Sequence, residues 1–164
     1  MADAVAEAPA KLNSPDPAYD WRGIAYLVQV SRALDKLEET LLVPEKKVLY
    51  QFSARGHDMA QIMLGSRLDQ PKDAVCGYYR SRPLLLSLGV PLEDAPGSGM
   101  GRAGGYSDGR DIGVVFNYPN PNGAPALPMC GGVGAQYTPT AGWAQAIEYY
   151  RAVLKDRAYE GAMA

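Results

Sequence analysis

The first strong pattern along the chain is a stripe of apolar residues that recur at spacings of three, four and seven. This periodicity predicts an amphipathic helix that begins near Trp21, with Asp20 as its N-cap. The helix should end at Val43, because the residue before a proline avoids the helical region. We interpret the stripe as core packing, with the charged residues, Glu38 among them, mostly outside it. Its members are Ile24, Leu27, Val28, Leu34, Leu37 and Leu41.

Three further helices are predicted from start and stop signals. The second helix should open at Gly56–Asp58. Its predicted apolar face consists of Ala60, Met63 and Leu64. The third should start around Tyr79–Arg80 and end before Gly89, which suits the position after a helix C-cap. The last should begin at Thr138–Pro139, a capping residue followed by a proline, and run to about Arg157.

The segment between the third and the last helix has an unusual composition. Eleven of the 18 glycines lie between Gly97 and Gly134, and residues 112–147 contain no Asp, Glu, Lys or Arg. Such a segment is not a typical solvated loop. Two interpretations stay open: an irregular segment buried against a ligand or partner, or a mobile loop that becomes ordered on binding.

Length and charge narrow the class of protein. The 164 residues, 47% of them hydrophobic, with a net charge of −2, indicate one globular domain. They exclude a coiled coil and a disordered acidic tail. Lys and Arg number only 16 and form no basic run, which disfavours a nucleic-acid partner. Two cysteines, Cys76 and Cys130, cannot build a disulfide framework or a four-ligand zinc site, and we expect two buried, reduced thiols.

The amino-terminal 19 residues lack the apolar core of a secretory signal and the arginines of an organellar leader. We therefore expect residues 1–19 to form a flexible arm. No apolar run approaches the roughly 18 residues that cross a bilayer. These patterns predict a cytoplasmic chain without a membrane partner.

Taken without their context, the polar motifs give weak signals. Tyr79 and Arg80 at a predicted helix start could offer a phenol and a guanidinium to an anion. Alternatively, Arg80 is a surface or interface arginine beside an aromatic neighbour, without a ligand. The single histidine, His57, is more often structural than catalytic in such a setting.

Several blocks, taken in order, resemble one known family. Residues 55–60 are similar to an Arg-Gly-Gln/His-Glu-Ala box. Residues 78–82, followed by residues 88–91, are similar to a Tyr-Arg-x-Arg block followed by Gly-Val-Pro. Residues 131–136 and 141–144, which come after a Gly-Arg pair in residues 109–111, are similar to the family's glycine-rich segments. The family is the thiamine-diphosphate-dependent decarboxylating component of 2-oxoacid dehydrogenases, alpha type. Members acting on branched-chain 2-oxoacids such as 2-oxoisovalerate are the most similar.

The resemblance implies an α/β fold in which this chain supplies the mostly helical amino-terminal part of a parallel-sheet domain, together with a Gly/Pro-rich irregular segment. Its cofactors would be thiamine diphosphate and Mg²⁺. By position, Tyr79 and Arg80 match the residues that bind the diphosphate. Gly131 and Val133 match positions whose backbone holds the aminopyrimidine ring. His57 and Gln136 match the shell around the active site.

The chain also departs from the family pattern. At the family's potassium site only Gln136 keeps its side chain, since Cys130 and Ala135 replace hydroxyl residues, so no potassium ion is expected. Asp58 stands where the first box has Glu, and Val115 stands where the family has a histidine. The family's metal motif, Gly-Asp-Gly followed by an Asn, would come after Ala164. We therefore expect residues 20–164 to be an incomplete cofactor domain, inactive alone and without its own metal ligands.

The implied activity is oxidative decarboxylation of a 2-oxoacid with transfer of the acyl group to a lipoyl group. The implied partners are a beta-type subunit or fused beta region, a lipoyl-bearing acyltransferase, and further copies in a homo- or hetero-oligomer. Two alternatives stay open. One is a non-catalytic assembly or regulatory module derived from this family. The other is a transketolase-like thiamine enzyme, which would need histidines for sugar hydroxyls.

Overall fold

The computed structural model describes residues 18–111 and 117–164. These residues form five α-helices and only isolated β-bridges, so the described part of the chain is mostly helical. This agrees with the expected helical character of the chain, while the parallel sheet stays a prediction. The helices are α1 (Trp21–Leu37), α2 (Asp58–Gly65), α3 (Arg82–Ser87), α4 (Asp94–Gly99) and α5 (Tyr137–Ala152). A π-helical turn, Glu38–Leu42, extends α1, and a 3₁₀ turn, Arg157–Tyr159, follows α5.

The start of α1 is confirmed, and its cause is local. The Asp20 carboxylate accepts hydrogen bonds from the backbone amides of Arg22 (3.2 Å) and Gly23 (3.0 Å). These amides have no partner inside the helix, so the cap satisfies donors that would otherwise be unpaired. The helical stretch ends with the π-helical turn at Leu42, one residue before the predicted boundary.

Ile24 of the predicted stripe is buried, but the other buried residues of α1 are polar. The prediction that the charged residues lie mostly outside the core-facing stripe is wrong for Glu38, whereas Arg32 and Lys36 are exposed as expected. Ser31 and Asp35 are fully buried and Glu38 is nearly so, whereas the predicted core residues Leu37 and Leu41 are exposed. The apolar periodicity failed here because a basic side chain from another helix packs against α1. A carboxylate that pairs with a buried cation can occupy a core position that its polarity alone would forbid.

That basic side chain is Arg82, the first residue of α3. Its guanidinium donates to the Asp35 and Glu38 carboxylates in two short hydrogen bonds. Asp35 also accepts from the Ser53 hydroxyl (2.5 Å) and the Ala54 amide (3.3 Å). This cluster of one cation and two carboxylates joins α1, the segment before α2, and α3.

Another buried carboxylate, Asp58, begins α2. It accepts hydrogen bonds from the Ser31 hydroxyl (2.9 Å) and the Gly56 amide (3.2 Å), and Arg32 lies 3.7 Å away. A negative charge in the first turn is also favoured by the helix dipole. Asp58 therefore fixes α2 on α1, as the Arg82 cluster fixes α3.

The apolar core lies between α2, α3 and the irregular chain that follows α4. The face predicted for α2 is wrong, since Ile62 and Gly65 are buried and Leu64 is 53% exposed. Gly65 allows close packing, because an added Cβ would lie 1.7 Å from the Ser87 hydroxyl oxygen. The main core cluster consists of Leu68, Leu85, Leu88, Val90, Tyr118, Ala124 and Ala126.

The helix predicted around Tyr79–Arg80 begins slightly later, at Arg82. A turn precedes it, in which the Ser81 hydroxyl accepts from the Tyr78 amide (2.9 Å) and the Ser81 amide donates to the Tyr78 carbonyl (2.8 Å). Tyr79 and Arg80 therefore lie in the turn rather than in the helix. The end of α3 is confirmed by Gly89, whose φ of +92° favours glycine.

The last helix, α5, is confirmed but is mostly exposed and ends before the predicted boundary at Arg157. Ile147 is its buried residue, and the Trp143 indole donates to the Lys72 carbonyl at 2.9 Å. The final residues return to the body of the protein, where the Met163 amide donates to the buried Asp73 carboxylate at 2.7 Å.

Most of the predicted arm, residues 1–17, lies outside the described residues, as does Val115. Among the helices that the structure describes, none combines the length and the apolar character needed to cross a bilayer.

Replacing Arg82 should destabilise the fold strongly. In Arg82→Met, Asp35 and Glu38 would stay buried without their cation, and breaking a buried ion pair in this way costs about 3–5 kcal/mol. Urea denaturation monitored by circular dichroism measures this loss. The matched control is Arg151→Met, which removes an exposed pair with Glu148 and should cost less than about 1 kcal/mol. Equal losses in the two variants would contradict the central role of Arg82.

Candidate functional site

The main candidate site is a groove between α2, the turn before α3, and the start of α5. Its volume is about 320 Å³. The Tyr78–Arg82 block contributes Tyr78 and Ser81 to its walls, and the glycine-rich block contributes Gly134 and Gln136. Two sequence blocks that are distant in the chain therefore meet at one surface.

Backbone pairing brings these blocks together. The Val75 amide donates to the Pro125 carbonyl (3.1 Å), and the Leu127 amide donates to the Val75 carbonyl (2.8 Å). Gly77 follows this bridge, and an added Cβ there would lie 2.5 Å from the Met129 methyl carbon. Gly77 thus lets the 125–130 segment pass close to the turn that carries the tyrosines.

The predicted diphosphate-binding pair lies in an aromatic cluster beside the groove. The Tyr79 ring contacts the rings of Tyr78 (3.7 Å between centroids) and Phe52 (4.5 Å). The exposed Arg80 guanidinium lies 5.5 Å from the Tyr79 centroid and 5.6 Å from that of Phe52. Arg80 also donates to the Ser53 carbonyl at 2.7 Å. A guanidinium has five donors, so this one bond leaves Arg80 able to bind an anion.

Tyr78 keeps its proton over a wide pH range. Its hydrogen bond with Tyr79, followed by burial, raises the pKa of Tyr78 to about 12. The neighbouring Tyr79 and Cys130 act in the same direction, while Arg80 opposes them. The Tyr78 hydroxyl therefore keeps its proton above pH 10, where an ordinary tyrosine ionises.

Gln61, on α2, is the site residue that the sequence did not reveal. Its side-chain amide donates to the Arg80 carbonyl at 3.1 Å, which ties the turn to α2. Its carbonyl oxygen, Oε1, is buried without a hydrogen-bond partner, and the residue lines the groove. A buried acceptor left unpaired is unfavourable, so an N–H donor of a ligand would be stabilised there. A glutamine on a predicted helix gives no signal of such a role.

Three of the four other predicted site residues lie outside the described groove lining. Val133 is 89% exposed, Gly131 is also exposed, and neither belongs to the described groove lining. His57 is exposed immediately before α2 and lies outside that lining as well. Gln136 does line the groove and donates to the Cys130 carbonyl at 3.1 Å. The described groove lining therefore includes Gln136, predicted for the active-site shell, but neither of the two predicted ring-binding residues.

Both cysteines are free, but the prediction that both are buried is wrong for Cys130, which is exposed. Cys76 is half-buried and lines the groove. Burial, with a smaller effect of Cys130, raises the pKa of the Cys76 thiol. Cys76 is therefore a weak nucleophile, because the thiolate is the reactive form.

No cluster of three or more His, Cys, Asp or Glu side chains suited to a metal ion occurs among residues 18–111 and 117–164. In comparisons with known proteins, no family model and no solved structure matches this chain.

Removing Tyr78 should remove a phenol that ionises near pH 12. We expect the absorbance difference at 295 nm between the wild type and Tyr78→Phe to develop around pH 12, and not near the ordinary value of 10. The raised pKa stabilises the fold below pH 10, and this contribution is lost as the pH rises from 10 through 12. The same titration of both chains in urea is the control. A difference near pH 10 in the folded chains would contradict the hydrogen-bonded, half-buried phenol.

Proposed function

We propose that this chain is the amino-terminal portion of the thiamine-diphosphate-dependent decarboxylating component of a 2-oxoacid dehydrogenase, alpha type, acting on a 2-oxoacid such as 2-oxoisovalerate. One observation above all supports it. The Tyr-Tyr-Arg turn and the glycine-rich block, which carry much of the sequence resemblance, line or border one groove. The parallel sheet of the complete α/β domain belongs to this proposal.

The groove and its border suit the organic cofactor. Arg80 would bind the diphosphate through its free donors, with the Tyr79 hydroxyl as a further donor. The unpaired Oε1 of Gln61 would accept an N–H from the aminopyrimidine ring. Gln136, on the opposite side of the groove, adds an amide that can donate or accept.

The described residues contain no cluster of ligands suited to the Mg²⁺ that accompanies this cofactor. In this proposal the Mg²⁺ ligands lie beyond Ala164, and the chain alone is inactive. The bound cofactor supplies the carbanion chemistry needed for decarboxylation. This chain's own residues bind the diphosphate, orient the ring through Gln61 and Gln136, and keep the Tyr78 phenol protonated beside it.

The proposed partners are a beta-type subunit or fused beta region and a lipoyl-bearing acyltransferase, in a cytoplasmic oligomer. The surface beside the groove is compatible with such an assembly, because several large apolar residues are exposed there. They include Val133 (89% exposed), Tyr137 (81%) and Leu64 (53%). Exposed apolar surface of this kind is typical of interaction sites.

A second candidate is a non-catalytic assembly or regulatory module derived from the same family. It is favoured by the position of His57, which lies outside the described groove lining, and by the mostly exposed α5. The transketolase-like alternative receives no such support, because His57 is the single histidine of the sequence.

Isothermal titration with thiamine diphosphate tests the proposal. We expect weak binding, and at least about tenfold weaker binding of thiamine, which lacks the phosphates. Arg80→Ala should weaken the binding of thiamine diphosphate to a similar degree. The matched control is Arg22→Ala, an exposed arginine on α1, which should bind like the wild type. Adding Mg²⁺ should change the affinity little, because the described residues offer no cluster of metal ligands.

Two outcomes would contradict this assignment. One is the absence of thiamine diphosphate binding by the wild type, which would favour the non-catalytic module. The other is equal binding by Arg80→Ala and Arg22→Ala, which would mean that charge in general, and not the Tyr79–Arg80 pair, holds the diphosphate.

A further inference from the structure

A second, smaller cavity lies between α4 and the loop that follows it. Its volume is about 20 Å³, enough for about one water molecule. Asp94, Gly105 and Tyr106 line both this cavity and an open surface depression of about 340 Å³. The cavity and the depression are therefore adjacent and share part of their lining.

The hydroxyl of Ser98 marks the cavity as a polar site. Ser98 is 9% exposed, its Oγ has no hydrogen-bond partner among the described residues, and the residue lines the cavity. Nearly all buried polar groups in proteins have a partner, and an unpaired one is unfavourable. The cavity thus holds a hydrogen-bonding position that the described residues leave unfilled.

The charges around this position are negative. Asp94 and Asp111 line the cavity, and no described lining residue is basic. Asp111 accepts from the Asn117 side-chain amide at 2.9 Å, which orients its carboxylate. Arg110, the adjacent basic residue, is 82% exposed and lies 3.7 Å from Asp108, outside the described lining.

Loop packing brings the Asp94 carboxylate close to the backbone at the cavity wall. A Cβ added to Gly105 would lie 2.3 Å from the Asp94 Oδ1, so a side chain there would displace the carboxylate. The rings of Tyr106 and Tyr118 meet edge to face at 4.7 Å between centroids. Burial, followed by the hydrogen bond with Tyr106, raises the pKa of Tyr118 to about 12, so this phenol stays neutral above the ordinary tyrosine value of 10.

We propose that this cavity binds the primary ammonium group of a small organic amine, with the rest of the amine in the surface depression. An ammonium group is about the size of water and fits a volume of about 20 Å³, whereas a quaternary ammonium is larger than that. Its three donors match the Ser98 hydroxyl and the carboxylates of Asp94 and Asp111. Its charge is attracted by the two acids and by the tyrosine rings.

Titration with ethylammonium, followed by changes in the protein NMR spectrum, tests this proposal on the full chain. A probe of three heavy atoms should bind no more tightly than about 1 mM. Ethanol, a neutral molecule of similar size, and tetramethylammonium, a bulkier cation, should both bind at least about tenfold more weakly.

Asp94→Asn should weaken ethylammonium binding at least about tenfold, because it removes the charge nearest the depression. The matched control is Glu93→Gln, which changes the adjacent, exposed residue outside the described lining and should leave binding unchanged. Ser98→Ala keeps both carboxylates and should weaken binding about fivefold, so it tests the site even if Asp94→Asn fails to fold.

The proposal is overturned if ethylammonium shows no saturable binding, in which case the cavity holds water only. It is also overturned if tetramethylammonium binds as well as ethylammonium, or if Ser98→Ala and Glu93→Gln both bind like the wild type.

Discussion

The buried guanidinium of Arg82 is the constraint on which the helical arrangement depends. A charge in an apolar interior must be paired, because its desolvation is otherwise too unfavourable. Asp35 and Glu38 meet this requirement from the same face of the α1 helical stretch, and both are themselves buried. The Ser53 hydroxyl and the Ala54 amide complete the hydrogen bonds of Asp35. The pairing thus fixes α1, α3 and the segment before α2 relative to one another.

The ion-pair cluster of Arg82, Asp35 and Glu38 also determines the geometry of the candidate groove. Arg82 follows directly after the turn that carries Tyr78, Tyr79 and Arg80, so the position of its guanidinium also sets the position of the turn. The turn is held from two other directions, since Arg80 donates to the Ser53 carbonyl and Gln61 donates to the Arg80 carbonyl. The same motif therefore has a structural role through Arg82 and a proposed binding role through Tyr79 and Arg80.

The two hollows of the molecule have opposite electrostatic character. The groove is bordered by the exposed Arg80, and its described lining combines apolar side chains with two amides, two phenols and no charged residue, which suits an anion carrying a polar ring. The cavity beside α4 is lined by Asp94 and Asp111 without a described basic residue, which suits a cation. One small ligand would not satisfy both, so the two proposals concern separate ligands and can fail independently.

The sequence by itself determined the features that depend on neighbours along the chain. The Asp20 cap and the glycine after α3 were both predictable, because each acts within a few residues. The approximate positions of α1, α2, α3 and α5 followed from such signals. Tyr79, Arg80 and Gln136 became site candidates through the motif resemblance. In the structure Gln136 lines the groove, and Tyr79 and Arg80 lie at its border.

Only the tertiary structure decided which faces are buried and which side chains meet. Asp35 and Glu38 are core residues because Arg82 reaches them from another helix, and no local pattern shows that. The apolar face expected on α2 and the burial expected for Cys130 were wrong for a related reason, since long-range packing fixes exposure. The side chains of Gln61 and Ser98 have buried, unpaired polar atoms only because segments distant in the sequence pack around them. A sequence periodicity of three or four residues gives no information about such packing.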